Sequence, residues 1–217
     1  MHGHSSAHGT PATTGHVLHW ARWYDAATFL LTFGRERRMR RETVERAGVA
    51  PGQSVLDVGC GTGSLTLAAK VAAGTSGDVH GIDPAPEMIG VSRKKAARKR
   101  VDIDFRVGVI EQLPFPDASF DVVLSSLMLH HLPDDLKRRG LAEAARVLKP
   151  GGRFFAVDMA PGSGGGFLSR GIGRHFIHKH VDDLASLTPM LTDAGFRDVA
   201  TGKMSVRFLG YITGVRA

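Results

Sequence analysis

The stretch "VLDVGCGTGSLTLAAK" (residues 55–70) sets three glycines in five positions, directly after an apolar run that carries a single acid, Asp57. Glycine costs backbone entropy wherever it is fixed. A turn this rich in it therefore implies an approach too close for side chains. The apolar run reads as a buried strand and "SLTLAAK" as the opening of an amphipathic helix, which makes residues 59–63 a strand-to-helix turn. In an open parallel sheet such a turn lies beyond the carboxyl ends of the strands, where ligands bind.

Spacing narrows the ligand. A dinucleotide fingerprint is G-x-G-x-x-G and brings a pyrophosphate to the helix N-terminus. Here the spacing is G-x-G-x-G, with Ser64 where the third glycine of that pattern would fall. Asp57, two residues before Gly59, would repel a pyrophosphate but helps to hold an ammonium group. The turn thus calls for a cofactor with a cationic amino-acid end and disfavours an NAD-linked oxidoreductase. Asp83 closes the next apolar run, "DVHGID" (78–83), where a carboxylate accepts both hydroxyls of a ribose.

Outward from this pair the chain alternates between short apolar runs and longer amphipathic segments. Residues 54–58, 78–83, 101–107, 119–126 and 152–159 read as strands. Residues 64–73, 85–98 and 134–148 read as helices. An amphipathic segment over 181–194 precedes two final strands near 197–203 and 205–215. This alternation predicts an α/β fold with a doubly wound, mostly parallel sheet, and the near-continuous apolar content of the strands fits a sheet covered on both faces. Upstream, residues 17–33 and 35–47 predict two helices, ended by "APG" (50–52). Residues 1–16, with His2, His4, His8 and His16 and no periodicity, read as a disordered tail. The expected organisation is that tail, N-terminal helices over 17–50, and the main domain over 51–217. Residues 160–174 read as a Gly-rich linker, and "LKPGG" (148–152) as a turn delivering a strand.

The chain has 217 residues, 42% of them hydrophobic and 23% charged, with a net charge of +7. "RERRMRR" (35–41) and "RKKAARKR" (93–100) contribute +4 and +6, so the remainder is net acidic. Either cluster would suit anionic lipid or nucleic acid; as charge runs they also read as solvated helix faces. No apolar run is long enough to span a bilayer. The polar N-terminus has no apolar signal region, so the expected location is cytoplasmic. Cys60 is the lone cysteine, which excludes an internal disulfide and a cysteine-built metal site.

"VLDVGCGTG", "GIDPAPEMI", "LPFPDASFDVVLSSLMLHHLPD" and "EAARVLKPGGRFFAVD" together resemble the motif series of class I S-adenosylmethionine-dependent methyltransferases, in pattern the type 11 and ubiquinone/menaquinone-biosynthesis groups. The motifs span about 55–158, in order. The resemblance implies a Rossmann-like seven-stranded sheet, S-adenosylmethionine as cofactor and S-adenosylhomocysteine as product. It also implies a cofactor site made by Asp57, Gly59, Cys60, Gly61 and Gly63 at the methionine end, Asp83 at the ribose, Pro84 and Met88 near the adenine, with Val109, Ile110 and Ser125 completing it. The pattern departs at 108–115, "GVIEQLPF", where relatives carry an acid that accepts from the adenine amino group and this chain has Val109. What remains there is apolar contact and the Ile110 backbone, at a cost of about 1 kcal/mol, the net worth of one hydrogen bond.

Methyl transfer from a sulfonium is an in-line displacement in which alignment and exclusion of water dominate. A base is needed only where the acceptor atom carries a proton. His130, in "LMLHHLPDD", is the candidate base, with hydrogen bonding to backbone as its structural alternative; His131 adjoins it. Tyr24, in "RWYD", is the candidate lid residue. His175, His178 and His180 have a spacing that suits zinc, but a polar loop edge is the simpler reading, and no metal is expected. The expected acceptor is a small molecule. The alternatives are a lipid or quinone-like acceptor, with peripheral membrane contact through the basic N-terminal helix, or a non-enzymatic cofactor- or nucleic-acid-binding regulator. No specific nucleic acid is expected: the chain has few aromatics for stacking, and "SSLM" (125–128) stands where base-amino methyltransferases carry N/D/S-P-P-Y/W.

Overall fold

The computed structural model describes residues 34–160, 184–206 and 208–217. Their centre is a seven-stranded sheet: β1 (Ser54–Val58), β2 (Asp78–Asp83), β3 (Asp104–Val107), β4 (Phe120–Ser126), β5 (Leu148–Met159), β6 (Phe196–Lys203) and β7 (Leu209–Arg216). The helices are α1 (Glu36–Ala47), α2 (Ser64–Ala73), α3 (Pro86–Lys99), α4 (Asp134–Val147) and α5 (Leu187–Asp193). Spatial order is β3-β2-β1-β4-β5-β7-β6. The pairs β1–β2, β1–β4, β2–β3 and β4–β5 are parallel, whereas β7 runs antiparallel to both neighbours. The chain leaves β1 toward β2 and β3, then returns to set β4 on the other side of β1. The carboxyl ends of β1 and β4 therefore flank the topological switch point, where ligands bind in open sheets.

Alternation along the central strands sorts side chains onto two apolar faces. Leu56, Val58, Ile82, Val123, Phe154 and Ala156 pack under α4 and α5 through Leu141, Ala144, Leu187 and Leu191. Val55, Val79, Val122, Leu124 and Phe155 pack under α1 and α2 through Met39, Val44, Ala47, Leu65 and Ala69. In the described part of the expected N-terminal segment, α1 covers the main core, with Met39, Val44 and Ala47 buried beside β1. Residues 1–33, including the tail and the first expected helix, lie outside the described residues, as does most of the expected linker.

Three element edges move for local reasons. β3 starts at Asp104, not 101, because Arg100 takes a left-handed conformation (φ 54°) and the Val101 amide bonds back to Ala96 to end α3. β7 starts at Leu209, not 205, since Met204 and Val206 turn into the core and bond to Leu209. "LKPGG" belongs to β5 itself: the ladder with β4 jumps from Phe120–Leu148 to Val122–Arg153, a bulge with Gly151 at φ 78°. Among the described residues no helix is long and apolar enough to cross a membrane.

Neither basic cluster is wholly a solvated face. On α1, Arg37, Arg38 and Arg41 are exposed but Arg40 is buried. On α3, Lys95 is partly buried and its ammonium donates to Thr62 Oγ1 (2.8 Å) and Ser64 Oγ (3.3 Å), bracing the glycine turn.

Candidate cofactor and active site

Gly59, Gly61 and Gly63 all lie at positive φ (72°, 53° and 78°), a region closed to most side chains. Part of the glycine density serves the protein's own packing. A Cβ on Gly63 would lie 2.8 Å from Ser92 Cβ and 2.9 Å from Phe105 Cζ, so its absence lets α2 settle against α3 and β3. The turn also spends its donors internally. The amides of Gly59 and Cys60 both donate to the Ile82 carbonyl (2.9 and 2.8 Å), Gly61 donates to Asp83 Oδ2 (2.9 Å), and Gly63 to the Cys60 carbonyl (2.9 Å). A pyrophosphate cradle needs those amides free. This turn instead offers a close, donor-poor surface beside two carboxylates.

Asp83, at the tip of β2, takes one amide on each oxygen, Gly61 on Oδ2 and Ala85 on Oδ1 (2.9 Å). Each carboxylate oxygen keeps a further lone pair for a hydroxyl. Burial raises its pKa, with the nearby Glu87 acting in the same direction. Asp57, on β1, is buried: Oδ2 accepts from Thr66 Oγ1 at 2.6 Å, while Oδ1 has no hydrogen-bond partner among the described residues. Burial pushes its pKa up from 3.8 to about 6, against the pull of the Thr66 hydroxyl and Arg40. The native pKa exceeds the unfolded one, so this carboxyl's contribution to stability is fully present below about pH 4 and is lost as pH rises through 6. An ammonium ligand on Oδ1 offsets that loss. Ser125, on β4 beside Val58, is also buried, and its hydroxyl has no hydrogen-bond partner among the described residues. Two orphaned polar atoms thus sit at adjacent strand ends, Asp57 on the α1/α2 face and Ser125 on the α4/α5 face, and both fit a polar ligand laid across the strand tips.

The remaining expected residues divide. Met88 is buried in a small cluster with Ala85, beside partly buried Val91 and apart from the main cores, and Pro84 is half-buried at the end of β2. Val109 is half-buried and pairs with Gln112. Ile110 turns its side chain into the core against Gly140, which leaves its backbone for a ligand. The Cys60 thiol lies in the cluster of Leu67, Ile89, Ala96 and Phe105, and burial raises its pKa well above the usual thiol range. Tyr24 and the three histidines at 175, 178 and 180 lie outside the described residues.

The sequence reading missed Asp158. This buried residue on β5 receives His130 Nδ1 at 2.5 Å, the His130 amide at 3.1 Å and the Met159 amide at 2.8 Å. A carboxylate accepts only, which assigns the ring proton to Nδ1 and leaves Nε2 as an acceptor. His130 sits in the 3₁₀ turn Leu129–His131 that follows β4, with its ring centroid 3.9 Å from that of His131. His130 and Asp158 line a small pocket with Leu129, buried Lys137, Met159, Leu184 and Leu187. A histidine oriented by a buried carboxylate beside a pocket is an arrangement suited to accepting a proton.

The Methyltransferase domain family model matches residues 55–152. A demethylmenaquinone methyltransferase of Halalkalibacterium halodurans is 38% identical over 62% of this chain and 55% of its own length. A ubiquinone/menaquinone biosynthesis C-methyltransferase of Geobacter sp. is 32% identical over 86% of this chain and 90% of its own. The chain spans less than two thirds of the length of several such demethylmenaquinone relatives. The fold is that of a SAM-dependent methyltransferase from Aquifex aeolicus, with TM-score 0.69, 20% identity, and 88% and 98% of the two chains covered. With that second relative more than 30% identical over most of both chains, the chain belongs to the class I S-adenosylmethionine-dependent methyltransferase family.

Proposed function

We propose that the protein methylates a small aromatic or enolic acceptor that carries an ionisable hydroxyl, a quinol in the case of an acceptor related to the quinones for which its relatives are named. The observation that carries this reading is the His130–Asp158 pair at the ends of β4 and β5, beside the strand tips that hold the cofactor residues. When bound, S-adenosylmethionine supplies an electrophilic methyl group whose leaving group departs as a neutral thioether, so no acid is required of the protein. Asp83 grips the ribose, Asp57 the ammonium, and Ser125 takes a further polar contact; Val109 and Ile110 border the adenine. His130 accepts the acceptor's hydroxyl proton on Nε2, and Asp158 stabilises the imidazolium so formed. Loss of that proton raises electron density on the acceptor, whose nucleophilic atom would form the bond to the methyl carbon as the carbon–sulfur bond breaks; where that atom is a ring carbon, its own hydrogen would then leave as a proton and restore the aromatic ring.

A reduced naphthoquinol lacking its ring methyl, incubated with the protein and methyl-labelled cofactor, is expected to take up label, whereas the oxidised quinone is not. No transfer to any quinol or phenol in a panel overturns the acceptor class. A prenylated acceptor resides in a bilayer, and the exposed Arg37, Arg38 and Arg41 of α1 suit an anionic surface at the cytoplasmic side. Cosedimentation with anionic liposomes checks that contact.

The cofactor site carries its own pH signature. Below pH 6 Asp57 must give up a proton before it pairs with an ammonium, so affinity for S-adenosylhomocysteine should fall about tenfold between pH 7.5 and pH 5. Asp83, raised in the same direction, adds to the fall. Calorimetry across that range reads the effect, and a flat profile removes Asp57 from the ammonium.

A further inference from the structure

We propose that Arg40 binds the cofactor's carboxylate, so that the amino-acid end is held between two buried groups of opposite charge, Arg40 on α1 and Asp57 on β1. This rests on the family's cofactor. Neither the motif series nor the comparisons assign Arg40 a role.

Arg40 stands in a run of arginines and differs from its neighbours. Its side chain is only 10% exposed. Burying a guanidinium costs several kcal/mol unless it is well paired, and here the ion pair to Glu36 leaves one nitrogen unused. Nη1 donates to the neutral hydroxyl of Ser126 at 3.2 Å, Nη2 reaches Glu36 at 3.3 Å, and Nε is buried with no hydrogen-bond partner among the described residues. Ser126 is the last residue of β4, and Asp57 lies beside Leu124 on the same face of the sheet. The arginine thus hangs over the carboxyl end of β4 next to Asp57, close enough to stabilise that carboxylate electrostatically. Yet Asp57 Oδ1 and Arg40 Nε each lack a hydrogen bond.

A buried cation and a buried anion that are neighbours, each with an unused polar atom, match a zwitterion. An α-amino acid group supplies both signs on one carbon: ammonium to Asp57, carboxylate to Arg40. A nucleoside without that group satisfies neither. The planar guanidinium fork suits a carboxylate better than an ammonium does. Among the described residues, two inward lysines are engaged elsewhere: Lys95 with Thr62 and Ser64, Lys137 with Asp134. Placement on α1 has a consequence. The cofactor's carboxylate bridges α1 to the sheet at its carboxyl edge, which ties the chain entering the domain to the occupied site.

The test is calorimetric, on the intact chain, with two ligands: S-adenosylhomocysteine and its decarboxylated analogue, 5′-(3-aminopropylthio)-5′-deoxyadenosine, which keeps the amine and the nucleoside. The wild type should bind the first at least 30-fold more tightly than the second. Arg40→Gln should remove that preference, weakening S-adenosylhomocysteine about 30-fold and the analogue less than threefold; Arg40→Lys should restore part of it. Equal weakening of both ligands, or of neither, overturns the proposal. Should Arg40→Gln fail to fold, two measurements remain: equal affinity of the wild type for the two ligands, or an Arg40→Lys variant with undiminished preference, overturns it equally. A wild type that binds neither ligand refutes the cofactor itself, a distinct outcome.

Discussion

Asp83→Ala should raise the Kd for S-adenosylhomocysteine by 100-fold or more while leaving the fold cooperative. The carboxylate sits at the tip of β2 with one backbone amide on each oxygen, and in the proposed complex it receives two ribose hydroxyls as well. Hydrogen bonds to a charged acceptor are worth about 1.5–3 kcal/mol each, and about 1.4 kcal/mol is tenfold in affinity, so losing two costs at least two decades. A second loss compounds it. Without Oδ2 the Gly61 amide has no anchor, and the turn that shapes the methionine end loosens from β2. Asp83→Asn separates the two contributions. Its amide oxygen still accepts from one backbone N–H, so its thermal midpoint should lie nearer the wild type than that of Asp83→Ala. Its affinity should stay low, because the charge and one acceptor are gone. Calorimetry and thermal unfolding on both variants decide the matter; undiminished affinity in Asp83→Ala removes the ribose contact.

How much of this was legible before folding depends on whether a residue's partner is near it in sequence. Strands and helices announced themselves because burial on both faces writes continuous apolar runs, and the glycine turn because its spacing and its acid are local. Asp57 and Asp83 were singled out through that spacing. Asp158 was not, although it has the same signature: "AVD" closes β5 as "GID" closes β2, an acid at the end of an apolar strand. What hid its role is that His130 lies 28 residues away, and only the β4–β5 register brings the two tips together. Arg40 was concealed differently. Within "RERRMRR" it looks like any other arginine, and its burial follows from lying three, four and seven residues before Thr43, Val44 and Ala47, all buried on the same helix. The face of α1 that covers the sheet thus carries one arginine at its upper end. Nothing local in the motif reveals that the Cys60 thiol points into the α2–α3 cluster.

His130→Ala should lower kcat by about 10²–10⁴, the usual worth of a positioned general base, and leave the Kd for S-adenosylhomocysteine within threefold of the wild type. Asp158→Asn should do nearly the same by a different route. Asp158 accepts from Nδ1 at 2.5 Å, and this fixes the tautomer in which Nε2 is the free acceptor. An amide at 158 is able to donate to Nδ1 instead, and the ring then carries its proton on Nε2, where it cannot take another. Because the two residues act as one unit, the double variant should be little worse than either single one. A merely structural histidine predicts otherwise: a loss of stability, with kcat and affinity moving together. Two further readouts separate these cases. Added imidazole should restore part of the rate to His130→Ala, since the vacated side-chain volume adjoins the pocket lined by Leu129, Asp158 and Met159. Acceptors whose hydroxyl is already ionised at the assay pH should lose far less rate than those whose hydroxyl is protonated, because the base then has no proton to remove. A variant that keeps its full rate on a protonated acceptor leaves the pair as a device for holding the β4 and β5 tips together, and the proton must leave to solvent.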